Sequence, residues 1–181
     1  LVDIDVKNCA SLFARGNYAT IDIGGGRIVS HNYSSIWTAG NEALINLNMQ
    51  KDAEGNAIDA GDNYLQIEGD VSTATQFYGS NGTINVGLNT ADSYLKGHFF
   101  GVGNNNLYLR NGAVWDNMPA VTHNWAGGDY STNNIVSNIS NLYGGADSAH
   151  AGNIYQHESK DINIQNLSGY VNAYLAHENG E

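Results

Sequence analysis

The sequence predicts an all-β protein built as a parallel solenoid. Ile84, Val86 and Leu88 alternate with polar or small residues, which is typical of a half-buried strand. Leu107 and Leu109 repeat this pattern 23 residues further on, as expected if the chain completes one coil between the two strands. The composition agrees, because 22 glycines and a single proline favour turns with positive φ over helices.

An apolar-x-apolar doublet marks one strand of each predicted coil. Its first five steps along the chain are between 17 and 24 residues, which is the range expected of solenoid coils. Strands of a sandwich are expected at shorter intervals, of about 8 to 12 residues. An eighth copy is expected near Ile135 or Ile139. The seven clear copies are Ile4-Asp5-Val6, Ile21-Asp22-Ile23, Ile45-Asn46-Leu47, Leu65-Gln66-Ile67, Ile84-Asn85-Val86, Leu107-Tyr108-Leu109 and Ile162-Asn163-Ile164.

Other strands and the turns complete each coil. Glycine-rich and asparagine-rich segments such as Gly24–Gly26 and Asp52–Asn56 supply turns between the doublets. The remaining strands are expected at Ile28-Val29, Tyr94–Phe100 and Ala113–Trp115. No segment shows a sustained apolar period of 3.6 residues, so no long helix is predicted.

The middle residues of the doublets are expected to form an outward column. Parallel strands lie about 4.8 Å apart, and amide side chains at that spacing can hydrogen-bond to one another. Asp5 and Asp22 would be neighbours, so we expect a raised pKa for one of them or a cation between them. A merely solvated column is the alternative. The predicted column contains Asp5, Asp22, Asn46, Gln66, Asn85, Tyr108 and Asn163.

Charge and cysteine content exclude several classes of function. Seven Lys and Arg against 18 Asp and Glu give a net charge of −11, which repels nucleic acid and anionic lipid. The single cysteine, Cys9, rules out an internal disulfide and a thiolate zinc site. The histidines show no regular ligand spacing, so no metal and no cofactor are predicted. No apolar run approaches the roughly 18 residues of a membrane-spanning helix.

An insertion at about 116–134 interrupts the regular spacing and is the predicted binding site. Long loops on a rigid scaffold often carry function, and an aromatic pair with a carboxylate and a histidine suits a sugar or peptide platform. Alternatively, Trp115 and Trp125 fold back as a cap on the core. The candidate ligand-binding residues are Trp125, Tyr130, Asp129 and His123.

The second half of the chain resembles a known family. INVGLNTADSYLKG, NLYLRNGAVWDN, ISNLYGG and GNIYQHESKDINIQNLSGYVNAYLAHENG are similar to the passenger regions of bacterial autotransporter adhesins, near their C-terminal end. The resemblance covers about residues 83–181. It implies a right-handed parallel β-helix (solenoid) of roughly seven to eight coils, forming a single domain over residues 1–181. It also implies an extracellular location on the bacterial cell surface, in a precursor that carries an outer-membrane β-barrel.

The function expected from this resemblance is that of a non-enzymatic cell-surface adhesin or self-association module. Its partners would be a host glycan, a matrix protein or like molecules, and the chain itself would not enter the membrane. One alternative is a ligand-free stalk or autochaperone-like segment. Another is a polysaccharide-degrading β-helix enzyme, because Asn89–Asp92 and Gly97-His98 imperfectly resemble hydrolase elements. We expect His98 to be an outward strand residue, and the chain to be a processed piece of a larger precursor.

Overall fold

The computed structural model describes residues 1–31, 34–73, 82–118, 124–125, 128–129, 135–157 and 160–175. The described chain is all-β apart from one short 3-10 turn at Ser148–His150. Its strands are β1 (Val2–Val6), β2 (Leu12–Arg15), β3 (Thr20–Ile23), β4 (Gly26–Ser30), β5 (Ile36–Ala39), β6 (Leu44–Leu47), β7 (Met49–Lys51), β8 (Ala57–Ala60), β9 (Leu65–Glu68), β10 (Val71–Thr73), β11 (Thr83–Leu88), β12 (Tyr94–Lys96), β13 (Phe99–Gly101), β14 (Asn104–Leu109), β15 (Val114–Asn117), β16 (Asn124–Trp125), β17 (Gly128–Asp129), β18 (Ile135–Tyr143), β19 (Gly152–Gln156), β20 (Lys160–Ser168) and β21 (Val171–Leu175).

Three parallel sheets contain most of these strands, and in each sheet the strands follow one another in chain order. Sheet A has seven strands, sheet B has four and sheet C has six. The chain passes through the sheets in turn and then returns to pair with the strand of its previous pass. The prediction of an all-β fold with parallel strands is therefore confirmed, and the topology is compatible with a solenoid. Sheet A is β1-β4-β9-β12-β15-β19-β21, sheet B is β2-β5-β10-β13 and sheet C is β3-β6-β11-β14-β18-β20.

Apolar side chains form the core in columns that follow the strand register. In sheet B, Leu12 pairs with Ile36, and Val71 pairs with both Ile36 and Phe99. All four are buried. The corresponding column of sheet A includes Trp115, which is fully buried, donates from Nε1 to the Gly97 carbonyl at 3.0 Å and meets Phe99 edge to face. Trp115 is thus a core residue of β15, whereas the Trp125 side chain lies outside the described residues, so the alternative of a cap formed by both tryptophans stays untested.

A β-hairpin interrupts the stack between the second and third passes of the chain. Strands β7 and β8 pair antiparallel, and the Asp52 carboxylate closes their turn by accepting from the backbone N–H groups of Glu54 and Asn56. At the hairpin base, the buried Asn48 side chain donates to the carbonyls of Gly61, Asn63 and Gly87. These bonds join the two ends of the hairpin to the next coil.

The predicted doublets come from two different sheets. The Ile4 and Leu65 copies lie in sheet A, whereas the other five lie in sheet C. The 20-residue step from Ile45 to Leu65 is therefore not a coil, because it crosses the hairpin and ends in another sheet. In sheet C, Ile45 pairs with Ile21 on one side and with Ile84 on the other. Similarly, Ile139 of the predicted eighth copy pairs with Ile164 rather than Ile162.

An amide ladder runs along the outer face of sheet C. In each step the Nδ2 atom of one residue donates to the Oδ1 atom of the residue one coil earlier. The donor-to-acceptor distances are 2.8 Å for Asn46 to Asp22, 2.7 Å for Asn85 to Asn46, 2.8 Å for Asn106 to Asn85, 2.8 Å for Asn141 to Asn106 and 3.1 Å for Asn166 to Asn141.

The ladder confirms amide bonding along a column but corrects its membership. Only Asp22, Asn46 and Asn85 of the predicted column belong to it. Asp5 and Gln66 lie in sheet A, Tyr108 lies beyond Asn106 on the same strand and pairs with Gly87, and Asn163 pairs with Asn138. The wrong members share the doublet pattern but not the register.

The predicted coupling between Asp5 and Asp22 is wrong because the two carboxylates lie in different sheets. Asp5 contacts His31 at 2.7 Å and Arg27 at 3.0 Å, and these hydrogen bonds lower its pKa. Burial acts to raise the pKa of Asp22, but its bonds from Lys51 and Asn46 outweigh burial and lower that pKa. Each carboxylate therefore has its own cationic partner, and no shared cation is needed.

Candidate functional site

The insertion predicted as a binding loop is only partly described. Within it, β16 and β17 form a short antiparallel pair in which Trp125 lies opposite Gly128 and Asn124 lies opposite Asp129. The side chains of Trp125 and Asp129, and the whole of His123 and Tyr130, lie outside the described residues. The predicted site therefore stays a prediction.

A groove on the outer face of sheet A is the candidate site among the described residues. It has a volume of about 270 Å³ and opens where the strands of sheet A turn towards sheet B. Asp116 and Met118 form its rim at the point where the insertion begins. The groove is lined by Val29, Ser30, His31, Glu68, Lys96, Asp116 and Met118.

Three charged residues form a column along the groove. Glu68 on β9 is the register partner of Lys96 on β12, which is in turn the partner of Asp116 on β15. Adjacent parallel strands are about 4.8 Å apart, so the two carboxylates are carried by backbones about 10 Å apart with the ammonium between them. Parallel stacking thus places an acid, a base and a second acid in a line.

Side chains beside the groove hold two members of this column in place. The Tyr94 hydroxyl donates to Glu68 Oε1 at 2.8 Å, and the Lys96 Nζ atom lies 5.1 Å from the centre of the Tyr94 ring. Burial, together with the bond to Glu68, raises the pKa of Tyr94 to about 12, so its hydroxyl remains a donor. Asp116 Oδ1 contacts His157 Nε2 at 2.5 Å. The two carboxylates are therefore oriented before any ligand arrives.

At the N-terminal side, a cluster of charges continues from the groove. His31 lines the groove and contacts Asp5, which also pairs with Arg27. Arg27 in addition pairs with Asp3 at 3.2 Å. All of these groups are substantially exposed, so the pairs contribute little to stability and leave donors and acceptors accessible to a ligand.

The chemistry of the groove is that of polar binding. Carboxylates accept hydrogen bonds from hydroxyl groups, and the Lys96 ammonium donates to oxygen atoms. Among the described residues no group of three or more His, Cys, Asp or Glu could hold a metal ion. The combination of carboxylates and an ammonium in the groove suits a hydroxyl-rich ligand.

The elements that resemble a hydrolase do not form a common site. His98, expected to point outward, is 2% exposed, and burial lowers its pKa to about 4. Asn89 instead bonds to Asp62 at 3.3 Å and accepts from Asn111 at 2.9 Å. Asp92 is exposed in the turn before β12. The expectation for His98 is wrong because this residue is not in a strand: it lies between β12 and β13, where the chain passes from sheet A to sheet B.

Sequence reasoning missed the groove because its residues are far apart in the chain. The pattern that marks them is an apolar residue followed by a charged residue at the end of a strand, as in Ile67-Glu68, Leu95-Lys96 and Trp115-Asp116. Aligning these three strand ends would have placed the charges in one column.

Comparisons of the chain with protein-family models, with curated proteins and with solved structures gave no match. Within the described residues, no helix has the length and apolar character that a membrane crossing requires. The case for a function therefore depends on the geometry of this chain.

Proposed function

We propose that the chain is a right-handed parallel β-helix of about seven coils that acts as an extracellular adhesin module and binds a glycan along sheet A. The observation that carries the proposal is the line of Glu68, Lys96 and Asp116 in an open groove. The seven ordered passes through sheet A support the solenoid. The resemblance to autotransporter passengers supports display at the surface of a bacterium.

The spacing of the column favours an extended glycan. Polar groups repeat at the strand spacing of about 4.8 Å, so a chain of hydroxyl-bearing rings lying across the strands meets a donor or an acceptor at each strand. Ordered partners reduce the entropy lost on binding, and Tyr94 and His157 provide that order. Individual contacts of this kind are weak, so affinity would come from several coils acting together.

The inserted loop belongs to the same proposal. Its first residues, Asp116 and Met118, line the groove, so a ligand lying in the groove would reach the base of the loop. Trp125, Tyr130, Asp129 and His123 are proposed as a second set of contacts to that ligand.

A ligand-free stalk is the competing function. The continuous amide ladder favours it, because the ladder stiffens the stack without any need for a partner.

The test is binding to immobilised neutral and acidic polysaccharides and matrix proteins. A groove variant, Glu68→Gln with Lys96→Ala, is compared with a control, Glu54→Gln with Arg15→Ala, which removes the same charges from exposed residues in the β7–β8 turn and on β2 of sheet B, outside the groove lining. We expect at least about tenfold weaker binding for the groove variant, which is about 1.4 kcal/mol, and no change for the control, with matched circular dichroism.

Two outcomes would count against the groove. Equal binding by the groove variant and the control, with loss in a Trp125→Ala/Tyr130→Ala variant, would move the site to the loop. Binding of the unmodified chain to no member of the panel would favour the stalk. Release of oligosaccharides from a bound polysaccharide would instead point to the enzyme alternative.

A further inference from the structure

The charged column of the groove continues into an aromatic pair. Asp116 on β15 is the register partner of Tyr155 on β19, and Tyr155 is the partner of Tyr174 on β21. Asp116 and Tyr155 lie on the outer face of sheet A, because the residues before them, Trp115 and Ile154, are buried in the core. Tyr155 is 42% exposed. The groove therefore has an aromatic side chain beside its last carboxylate.

The stacking of the two tyrosines determines which way the Tyr155 ring faces. The ring centroids are 4.8 Å apart and the ring planes are 12° from parallel. That separation matches the spacing of neighbouring strands, about 4.8 Å, so each ring turns its faces along the column. Tyr174 covers one face of Tyr155, and the other face is turned towards β15. An aspartate side chain is shorter than a tyrosine side chain, so the outer part of this face rises above Asp116 on the side of the groove.

This position combines the two kinds of contact that a sugar ring makes. A pyranose has a face of C–H groups, which packs on an aromatic face, and an edge of hydroxyl groups, which need hydrogen-bond partners. Tyr155 supplies the aromatic face. Asp116 lies below it and is oriented by His157, whose Nε2 atom is 2.5 Å from Asp116 Oδ1. Lys96, the next residue of the column, supplies a donor.

We propose that this position is a subsite for a terminal, neutral pyranose, which packs its C–H face on Tyr155 and hydrogen-bonds to Asp116 and Lys96. The proposal rests on the glycan-binding function proposed above and names the sugar that occupies one end of the groove. A ring that packs flat on Tyr155 stands across the groove, so it ends the glycan instead of continuing along the column.

Charge selects a neutral sugar over an acidic one. Lys96 lies between Glu68 and Asp116 in the column, so the two carboxylates compensate its positive charge. The net charge of −11 adds a general repulsion of anionic ligands. A uronic acid at this position would bring a further carboxylate next to Asp116, and we expect it to bind more weakly than the corresponding neutral sugar.

Saturation-transfer NMR on the full chain tests the subsite directly. The probes are methyl β-galactopyranoside and methyl β-glucopyranoside, and sorbitol is the control ligand because it carries hydroxyl groups without a ring face. Saturating the aromatic protons of the protein should transfer signal to the C–H protons on one face of at least one pyranoside, and none to sorbitol. Methyl β-galacturonide should receive less signal than methyl β-galactopyranoside.

Four variants separate the subsite from the rest of the groove. Tyr155→Ala should lose most of the transfer and bind the polysaccharide identified above at least about tenfold more weakly, whereas Tyr155→Phe keeps the ring and should retain both. Tyr174→Ala should have a smaller effect, because it leaves the groove-facing side of Tyr155 in place. Tyr18→Ala is the matched control, since Tyr18 is 70% exposed in the turn between β2 and β3, and it should bind like the unmodified chain.

The outcomes distinguish failure of the subsite from failure of the groove. Polysaccharide binding that is lost in Glu68→Gln/Lys96→Ala but kept in a folded Tyr155→Ala variant would overturn the subsite and leave the groove. Signal transfer to neither pyranoside, or equal transfer to sorbitol, would also overturn the subsite. Equal losses in Tyr174→Ala and Tyr155→Ala would show that the groove-facing side of Tyr155 is not the contact. Binding of the unmodified chain to no polysaccharide would overturn both proposals.

Discussion

Replacing His98 by phenylalanine is expected to remove most of the acid sensitivity of folding between about pH 6.5 and pH 4. The His98 ring lies between β12 and β13, is 2% exposed, and its Nε2 atom has no hydrogen-bond partner among the described residues. Burial, reinforced by the positive charge of Lys160, lowers its pKa to about 4 from the ordinary value of 6.5. The folded chain therefore holds this ring neutral over a range in which the unfolded chain protonates it.

The sign and size of the effect follow from proton linkage. Between pH 6.5 and pH 4 the unfolded state binds more protons, so the free energy of unfolding rises with pH in this window. Each pH unit corresponds to about 1.4 kcal/mol for one group, and the gap between the two pKa values therefore corresponds to about 3 kcal/mol. The stabilisation is fully present above pH 6.5 and is lost as the pH falls towards 4.

Urea unfolding at several pH values between about 4 and about 7.5 measures this slope. The His98→Phe variant should lose about 3 kcal/mol less than the unmodified chain across the window. Val102→Ala is the control, because the Val102 side chain is 66% exposed and carries no ionisable group, and its slope should match that of the unmodified chain. Lowered aspartate pKa values, as for Asp22 and Asp147, reduce stability at the acid end of the window, but they do so in both chains and therefore cancel in the comparison. An unchanged slope in His98→Phe would refute the reasoning.

Three further substitutions test the stack by urea unfolding. Asn85→Asp places an acceptor opposite Asn46 Oδ1 and should lower the free energy of unfolding by about 2 to 4 kcal/mol. The same substitution at an exposed position should lower it by less. Trp115→Phe removes the bond to the Gly97 carbonyl and leaves a void, with an expected cost of about 2 to 4 kcal/mol; wild-type stability would contradict the core assignment. Gly26→Ala should be destabilising by at least about 2 kcal/mol, because φ is +121° and the added Cβ would overlap the Val2 backbone.

The strands were predictable because alternation depends on local sequence. Runs such as Ile84 to Leu88 show their period of two directly, and the structure places β11 there. Which sheet a strand joins was not predictable from the same pattern. The Ile45 and Leu65 doublets look alike, yet the first lies in sheet C and the second lies in sheet A, after the hairpin. Sheet membership depends on the path of the turns, which doublet spacing does not record.

The candidate site was less predictable than the fold. The groove depends on register between distant strands, and a shift of one residue moves a side chain to the opposite face. Glu68 and Asp116 become neighbours of Lys96 only when β9, β12 and β15 pair in sheet A. The same reason explains the ladder, in which Asn106 rather than Tyr108 continues the column from Asn85. The local sequence pattern predicted that an amide column would form. The strand register determines which residues belong to it.

The hairpin of β7 and β8 adds residues to the chain without changing how the neighbouring strands of sheet C pair. Strands β6 and β11 pair in register although the hairpin lies between them in the chain. Asn48, at one end of the hairpin, donates to the carbonyls of Gly61 and Asn63 at the other end and to that of Gly87 on β11. A foreign peptide grafted in place of residues 49–60 would therefore leave the ladder on both sides intact. The residues exposed in the hairpin can therefore change while the spacing of the strands and the positions of the residues along sheet A stay the same.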